Sequence, residues 1–478
     1  MPDLKTSAES SLAMGLYFWP RGGSSQVARS LCRALDGGRW SPTLFAGSLG
    51  PSTERSHAHS FFAGIQCEPM DYTKAVCDWE QGADPMCSSV PMHASFEDKP
   101  GVPDRIFFEL DDAAFHRQIR SWSRLLQSST IEPPSVVHLH HLTPMHEAVR
   151  LVWPGARVVT HLHGTELKML ISARSENESG RQRRCATRWV ERMQRWAAGS
   201  DRLVVVSPHD AQMAEELLPI RPEVVSTIPN GVDTHIFATR DRTISERLAV
   251  WRRFLVSDPR GWRPGCPAAS VRYNDGDLTA FVDNDGQPVP VVVFAGRFLG
   301  FKRLSLLIEA HHAMQTTTSS RSVLVVVGGF PGEWEGEHPY DTVRRLNVKN
   351  VFFVGWRGHR DLAEILACSD VFAAPSVDEP FGLVYLEAMA AGLPPIATNS
   401  GGPPSFINVD PDRPTGWLVP PDDQTTLVRA LFEAVSDSEA RVSRGRSAAR
   451  FVRDEYSWDT TAKMFSDLYA ELVDGPVA

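Results

Sequence analysis

The sequence predicts an α/β fold of two domains, each built on a parallel sheet, and three observations carry that expectation. Short β-branched runs recur with amphipathic helical stretches between them: VVHLHHL (136–142), ARVVTHLHG (156–164), RLVVVS (202–207), VVSTIPNG (224–231), VPVVVFAGR (289–297), VLVVVGG (323–329), NVFFVG (350–355), DVFAAPS (370–376) and PPIATNS (394–400). Runs buried on both faces and separated by helices signal a parallel sheet. The 478 residues exceed what one hydrophobic core usually serves. The pattern also breaks near Asn230-Gly231-Val232-Asp233, and a charged, Asp-Gly-rich stretch follows before the next strong strand at Val291.

Taken in order, the first element is a short strand, GLYFW (15–19), followed by PRGGSSQVARSLCRAL, a glycine turn that opens directly into a helix. Gly22 and Gly23 let a ligand approach the backbone, and free amides at a helix start favour phosphate. A plain strand-to-helix turn explains them as well. Residues 52–104, rich in Ser, Pro, Asp and Cys, read either as a functional loop or as a solvated excursion. In HLHHL and HLH two imidazoles share each strand face, a spacing that can ligate metal. Because no cysteine or paired carboxylate completes a set, His138, His140 and His161 are read as packing histidines and no metal ligand is assigned.

Residues 233–290 are expected to form a linker enlarged by a helix and a small hairpin, with NDGD and DNDGQ as tight turns. Beyond it, VVVFAGRFLGFKR places Arg297 and Lys302 at the carboxyl end of a strand, where open α/β sheets bind ligands. Arginine suits bidentate oxyanion contact and lysine a point charge on phosphate, although solvated loop charges are the blander alternative. The most informative stretch is SVDEPFGLVYLEAMAAGLPPIATNSGG (376–402). Glu379 stands in a Pro/Gly loop, Phe381, Gly382 and Leu383 at a helix start, and Glu387 farther into that helix. The helix start can hold a phosphate, so the flanking carboxylates must face something else, and sugar hydroxyls are the natural partner. A helix with an acidic start and a solvated glutamate is the alternative; it does not account for the Pro, Phe and Gly between them. The terminal YSWDTTAKMFSDLYAELV has helical spacing.

With 42% hydrophobic and 22% charged residues the composition is that of an ordinary globular protein. The formal net charge of -9 gives no global footprint for nucleic acid or anionic lipid. Apolar runs such as Val291–Ala295 are far shorter than the roughly 20 residues that span a bilayer. No secretory signal is read at the N-terminus. Seven scattered cysteines without a C-x-x-C pair argue against a disulfide framework or structural zinc, and a reducing, cytoplasmic location is expected.

The combination of EPFGLVYLE, GRFLGFKR, IPNGVD and the PRGG loop resembles the retaining family-4 glycosyltransferases of GT-B fold. The likeness is dense over residues 290–425 and patchier before 230. It implies two Rossmann-like domains facing a cleft: residues 1–232 with a returning helix at 455–478 on the acceptor side, and 291–454 on the nucleotide-sugar side. It implies a UDP or GDP sugar as co-substrate, a hexose-type sugar transferred with retention to an unidentified small-molecule, glycan or lipid acceptor, and no cofactor or metal. Arg297 and Lys302 would hold the diphosphate, Glu387 the ribose and Glu379 the transferred sugar, with Phe381–Leu383 amides on phosphate or sugar. Gly22 and Gly23 would face donor and acceptor, and His163 would stand near the anomeric centre. The side chains of Lys302 and Glu387 are expected to face the cleft rather than the core. Peripheral membrane contact stays open, and nucleic acid is not expected. A sugar-nucleotide 2-epimerase or hydrolase, or a non-catalytic nucleotide-sugar-binding subunit, are the alternatives on the same architecture. Where many members carry an acid after Gly-Gly-x-Pro, this chain has Ser405 in SGGPPS.

Overall fold

A computed structural model describes residues 10–97, 102–174, 185–318 and 320–475. Chain contacts divide it into two compact units, residues 1–230 with 458–478, and residues 231–457.

The first unit carries seven strands: β1 Ser10–Leu16, β2 Trp40–Ser48, β3 Cys67–Asp71, β4 Val136–His140, β5 Arg157–His161, β6 Arg202–Val205 and β7 Val225–Thr227. They lie in the order β3-β2-β1-β4-β5-β6-β7, and all the pairings are parallel. The order reverses between β1 and β4, which makes that point the unit's topological switch. On one face Leu12, Leu16 and Val136 pack with Leu31 of helix Gly22–Leu35 and with Phe465 and Tyr469 of helix Trp458–Asp474. The other face buries Trp122, Trp189 and Trp196 from flanking helices.

The second unit carries β8 Val291–Ala295, β9 Val323–Val327, β10 Val351–Gly355, β11 Val371–Ala374, β12 Pro395–Thr398 and β13 Trp417–Val419, in the order β10-β9-β8-β11-β12-β13. Again every pairing is parallel. Its switch falls between β8 and β11. β8, β9, β10 and β11 are buried along their whole length, which is why they read as unbroken apolar runs.

Four strands differ from the sequence expectation: β2, β3 and β13 are not among the expected strands, and β1 lies earlier than GLYFW, ending at Leu16. β2 contains Pro42 and Gly47, and β3 reads CEPMD, a composition that argues against a strand. Pro69 is tolerated because β3 is an edge, and Pro42 because β3 pairs with β2 only from Leu44 onward.

The stretch 233–290 belongs to the second unit. Its helix Ile244–Arg252 opens on a Thr243/Glu246 capping box, and Arg247 pairs with Asp370, whose carboxylate also accepts from the Val291 amide at 2.8 Å. DNDGQ forms a turn closed by the antiparallel bridge Val282–Pro288. NDGD forms no hairpin: Asn274 leads into a 3₁₀ turn, Asp277–Phe281. Among the described residues no helix is long and apolar enough to cross a membrane, and the seven cysteines are unpaired.

Candidate functional site

In the second unit, β8 runs into Gly296-Arg297 and β11 into Pro375-Ser376, so the loops that follow them meet at the switch point. They are tied by the Val377 amide donating to the Phe301 carbonyl at 2.8 Å. That tie brings together two of the residues singled out from sequence: Lys302 Nζ forms an ion pair with Glu379, and the two side chains are only 13% and 10% exposed. Arg297 is directed elsewhere, with a guanidinium nitrogen 3.4 Å from Glu333 Oε1 in the loop after β9. The loops after β8 and β9 can close on each other because Gly328 has φ +114, and a Cβ there would stand 2.1 Å from the Gly296 oxygen.

Glu379 leads into helix Leu383–Ala390. Gly382, at φ +92, precedes the helix without any side-chain cap, so the first-turn amides are not claimed by a side chain of their own N-cap. The Phe381 ring is buried beside Phe406 at 5.4 Å and serves the core; only its backbone can serve a ligand. Gly402 donates to the Glu379 carbonyl at 2.7 Å, and a Cβ on the neighbouring Gly401 would meet that same oxygen at 2.4 Å. The two glycines of SGGPPS thus brace the turn that aims Glu379. Ser405, exposed, returns its hydroxyl to the Gly402 carbonyl at 2.6 Å.

Glu387 is 9% exposed, and its Oε1 lies 3.3 Å from His359 Nε2. The sequence reading missed His359. Its signal was available: it opens helix His359–Leu366 directly after the NVFFVG strand, at the same sheet end as Arg297 and Lys302. The second unit thus gathers a cation-carboxylate pair, an open helix start and a second carboxylate held by an imidazole. With Lys302 turned from Glu379 onto phosphate, such a set can meet a diphosphate, and its carboxylates can accept hydrogen bonds from sugar hydroxyls.

In the first unit, Gly22 has φ +73, and among the described residues nothing lies within 4 Å of a Cβ built on Gly22 or Gly23. Before them Arg21 pairs with Asp104 and stands 5.0 Å over the Trp19 ring. Burial works to raise the Asp104 carboxyl, but His93 and Arg21 hold it below the usual range. The stretch 52–104 is not simply a solvated excursion, since the His93 ring is buried edge-on to Phe18 at 5.2 Å and Tyr72 at 5.1 Å.

His163 follows β5, and its amide donates to Glu166 Oε1 at 2.9 Å. Its ring Nε2 is 2.9 Å from His140 Nδ1. Burial, reinforced by the neighbouring imidazoles, pushes the His163 ring well below its usual range and keeps it neutral. Glu166 is fully buried, which would raise its carboxyl; His141, at 3.1 Å, holds it below instead. His138, His140 and His161 are wholly buried, and one nitrogen from each lies within 4.8 Å of the others. Burial alone brings His138 down to about 3.

Two family models match the chain: Glycosyltransferase Family 4 over residues 21–236, and Glycosyl transferases group 1 over residues 281–451. A D-inositol 3-phosphate glycosyltransferase of Saccharomonospora viridis is 30% identical over 280 residues, 57% of this chain and 56% of that protein. A sulfoquinovosyl transferase of Arabidopsis thaliana is 30% identical over 234 residues, 48% of this chain and 41% of that protein. The chain spans about half the length of the curated relatives it matches. Among solved structures, a sucrose-phosphate synthase from Thermosynechococcus elongatus aligns with TM-score 0.66 and 19% identity over 97% of this chain and 99% of its own. Anabaena HepE, in complex with UDP-glucose, aligns with TM-score 0.64 and 15% identity over 96% and 99%.

Proposed function

Because the chain belongs to the family-4, group-1 glycosyltransferases of GT-B fold, we propose that it moves a hexose-type sugar from a nucleoside diphosphate donor to an acceptor hydroxyl. The observation that carries this reading is the Lys302–Glu379 pair at the switch point beside the uncapped helix start at Gly382. In this reading Arg297 and Lys302 neutralise the diphosphate as the glycosidic bond breaks, and Gly382 and Leu383 amides share the charge. Glu379 takes hydroxyls of the transferred sugar and Glu387, steadied by His359, those of the ribose. His163 serves the reacting carbon and Gly22-Gly23 leave room for donor and acceptor. Retention of configuration, independence of metal and a cytoplasmic setting belong to the same proposal. UDP is the first donor to test, since HepE binds UDP-glucose, with GDP the second.

The test is thermal unfolding with UDP, GDP, ADP, UDP-glucose and GDP-mannose. A ligand at 100 times its dissociation constant should add about 2.7 kcal/mol. The donor that binds is then incubated with acceptors that include inositol 3-phosphate and hexose phosphates. Nucleotide release that requires an acceptor supports transfer. Rapid release from donor alone would overturn it in favour of an epimerase or hydrolase, and tight binding without turnover would favour a binding subunit.

A further inference from the structure

We propose that His140 is a positioning residue that fixes the orientation and tautomer of His163, so that His163 offers Nδ1–H toward the reacting groups. The proposal rests on the reading of His163 as a residue at the transferred sugar.

β4 and β5 pair in parallel with His140 opposite His161, and the two-residue period of a strand puts His138 on the same face as His140. The rings stack, His138 on His140 at 4.7 Å and His140 on His163 at 5.2 Å. Helix Trp458–Asp474 closes this face with Phe465, 5.0 Å from the His138 ring and 5.2 Å from that of His161. His140 is 0% exposed and cannot itself touch a substrate. What it does touch is His163, through the 2.9 Å contact between its Nδ1 and Nε2 of His163.

A neutral imidazole has one N–H and one bare nitrogen, so that contact allows two arrangements. Among the described residues His140 Nε2 is buried without a hydrogen-bond partner. A proton there would be an orphaned buried N–H, whereas a bare nitrogen is only an under-used acceptor, the less rare condition in proteins. The proton therefore sits on His140 Nδ1 and is donated to His163 Nε2. His163 must then carry its own proton on Nδ1, the nitrogen it has left to present. Two further contacts hold the base of the stack: His161 Nδ1 lies 3.3 Å from His138 Nε2, and His138 Nδ1 2.5 Å from the Tyr469 hydroxyl oxygen. On the other side Glu166 grips the His163 amide, so backbone and ring are fixed independently.

The experiment is long-range imidazole nitrogen NMR on histidine-labelled full-length protein, with His140→Leu and His140→Asn. Asn can place an amide N–H where Nδ1 stands. Wild type and His140→Asn should show His163 as the Nδ1–H form, and His140→Leu should convert it to Nε2–H or a mixture. In parallel, acceptor-dependent UDP release from UDP-glucose should fall about tenfold in kcat for His140→Leu, with KM within about twofold, and recover in His140→Asn. An Nε2–H His163 in the wild type overturns the proposal, as does an unchanged tautomer in His140→Leu. A stoichiometric transition-metal ion in the purified protein, held by His138, His140 and His161, would also overturn it. If His140→Leu fails to fold, the wild-type tautomer and the Asn variant decide alone. His163→Ala separates the two levels: normal turnover removes the role of His163 itself, whereas an inactive His163→Ala beside a fully active His140→Leu removes only the positioning role.

Discussion

Consider removing Lys302 alone. Its ammonium neutralises a Glu379 carboxylate whose side chain is only 10% exposed, so Lys302→Ala leaves a nearly buried charge with no countercharge. Breaking a buried pair from one side costs about 3–5 kcal/mol, and the residual exposure places this pair near the lower figure, about 3 kcal/mol. The second unit spans residues 231–457, a size for which each kcal/mol moves Tm by roughly 2–4 °C. A drop of about 6–12 °C in that unit follows. The double variant Lys302→Met, Glu379→Gln removes both charges and should recover to within about 1 kcal/mol of wild type, because a buried pair is worth little net of its desolvation. Glu379→Gln by itself frees the ammonium for phosphate, so UDP should bind several-fold tighter than to wild type. Urea unfolding of wild type, both singles and the double gives the coupling energy, and calorimetric titration with UDP gives the affinity. If Lys302→Ala unfolds within 0.5 kcal/mol of wild type, or the double is no more stable than the single, the pair is not buried in the sense argued. If UDP binds Glu379→Gln and Lys302→Ala equally well, Lys302 does not meet the diphosphate.

Transfer should survive excess chelator, since Arg297 and Lys302 supply the countercharge; complete loss restored by a single divalent ion would count against that. The first unit should weaken in mild acid. His138 has its folded pKa lowered to about 3 and His146 to about 4, chiefly by burial, and burial lowers His140, His161 and His163 too. An unfolded histidine, at about 6.5, binds its proton first, so stability is present above pH 6.5 and lost as pH falls below it. For His138 alone, going from pH 7 to pH 5 costs about 2 kcal/mol. Urea midpoints measured across that range should fall steeply, and a flat profile would contradict neutral buried imidazoles.

Much of this fold was legible because β8 to β11 are buried on both faces and therefore spell themselves out in Val, Phe and Ala. β2 and β3 were not, because edge and half-paired positions tolerate the prolines that a sequence reader takes as breakers. Lys302, Glu379 and Glu387 could be singled out by their places after strands and at a helix start. What spacing could not convey is which carboxylate each cation meets. Lys302 and Glu379 are 77 residues apart and joined only by the strand order. His359 escaped for a related reason: a lone histidine at a helix start carries no message until Glu387 is seen 3.3 Å away. The sequence reading treated Lys302 and Glu387 as side chains facing an opening; Glu387 is 9% exposed and the Lys302 side chain 13%, so both have protein neighbours to consider as well as ligand.

Helix Trp458–Asp474 completes the core of the first unit, where Tyr469 packs edge-on to Trp40 at 5.3 Å, Trp40 Nε1 reaches Ser466, and Thr461 bonds the Pro229 carbonyl. On the ribosome, however, residues 231–457 are synthesised between the two pieces of that unit. At typical elongation rates of 5–20 residues per second, roughly 10–45 s separate the appearance of Asn230 from that of Trp458. During that interval the first seven strands have no Phe465 or Tyr469 to cover Leu12, Leu16 and Val136. The second unit, contiguous in sequence, can fold while the first waits. A nascent chain stalled before Trp458 should therefore bind chaperones through its earlier half, and a stop codon at Trp458 should cost the protein its first domain.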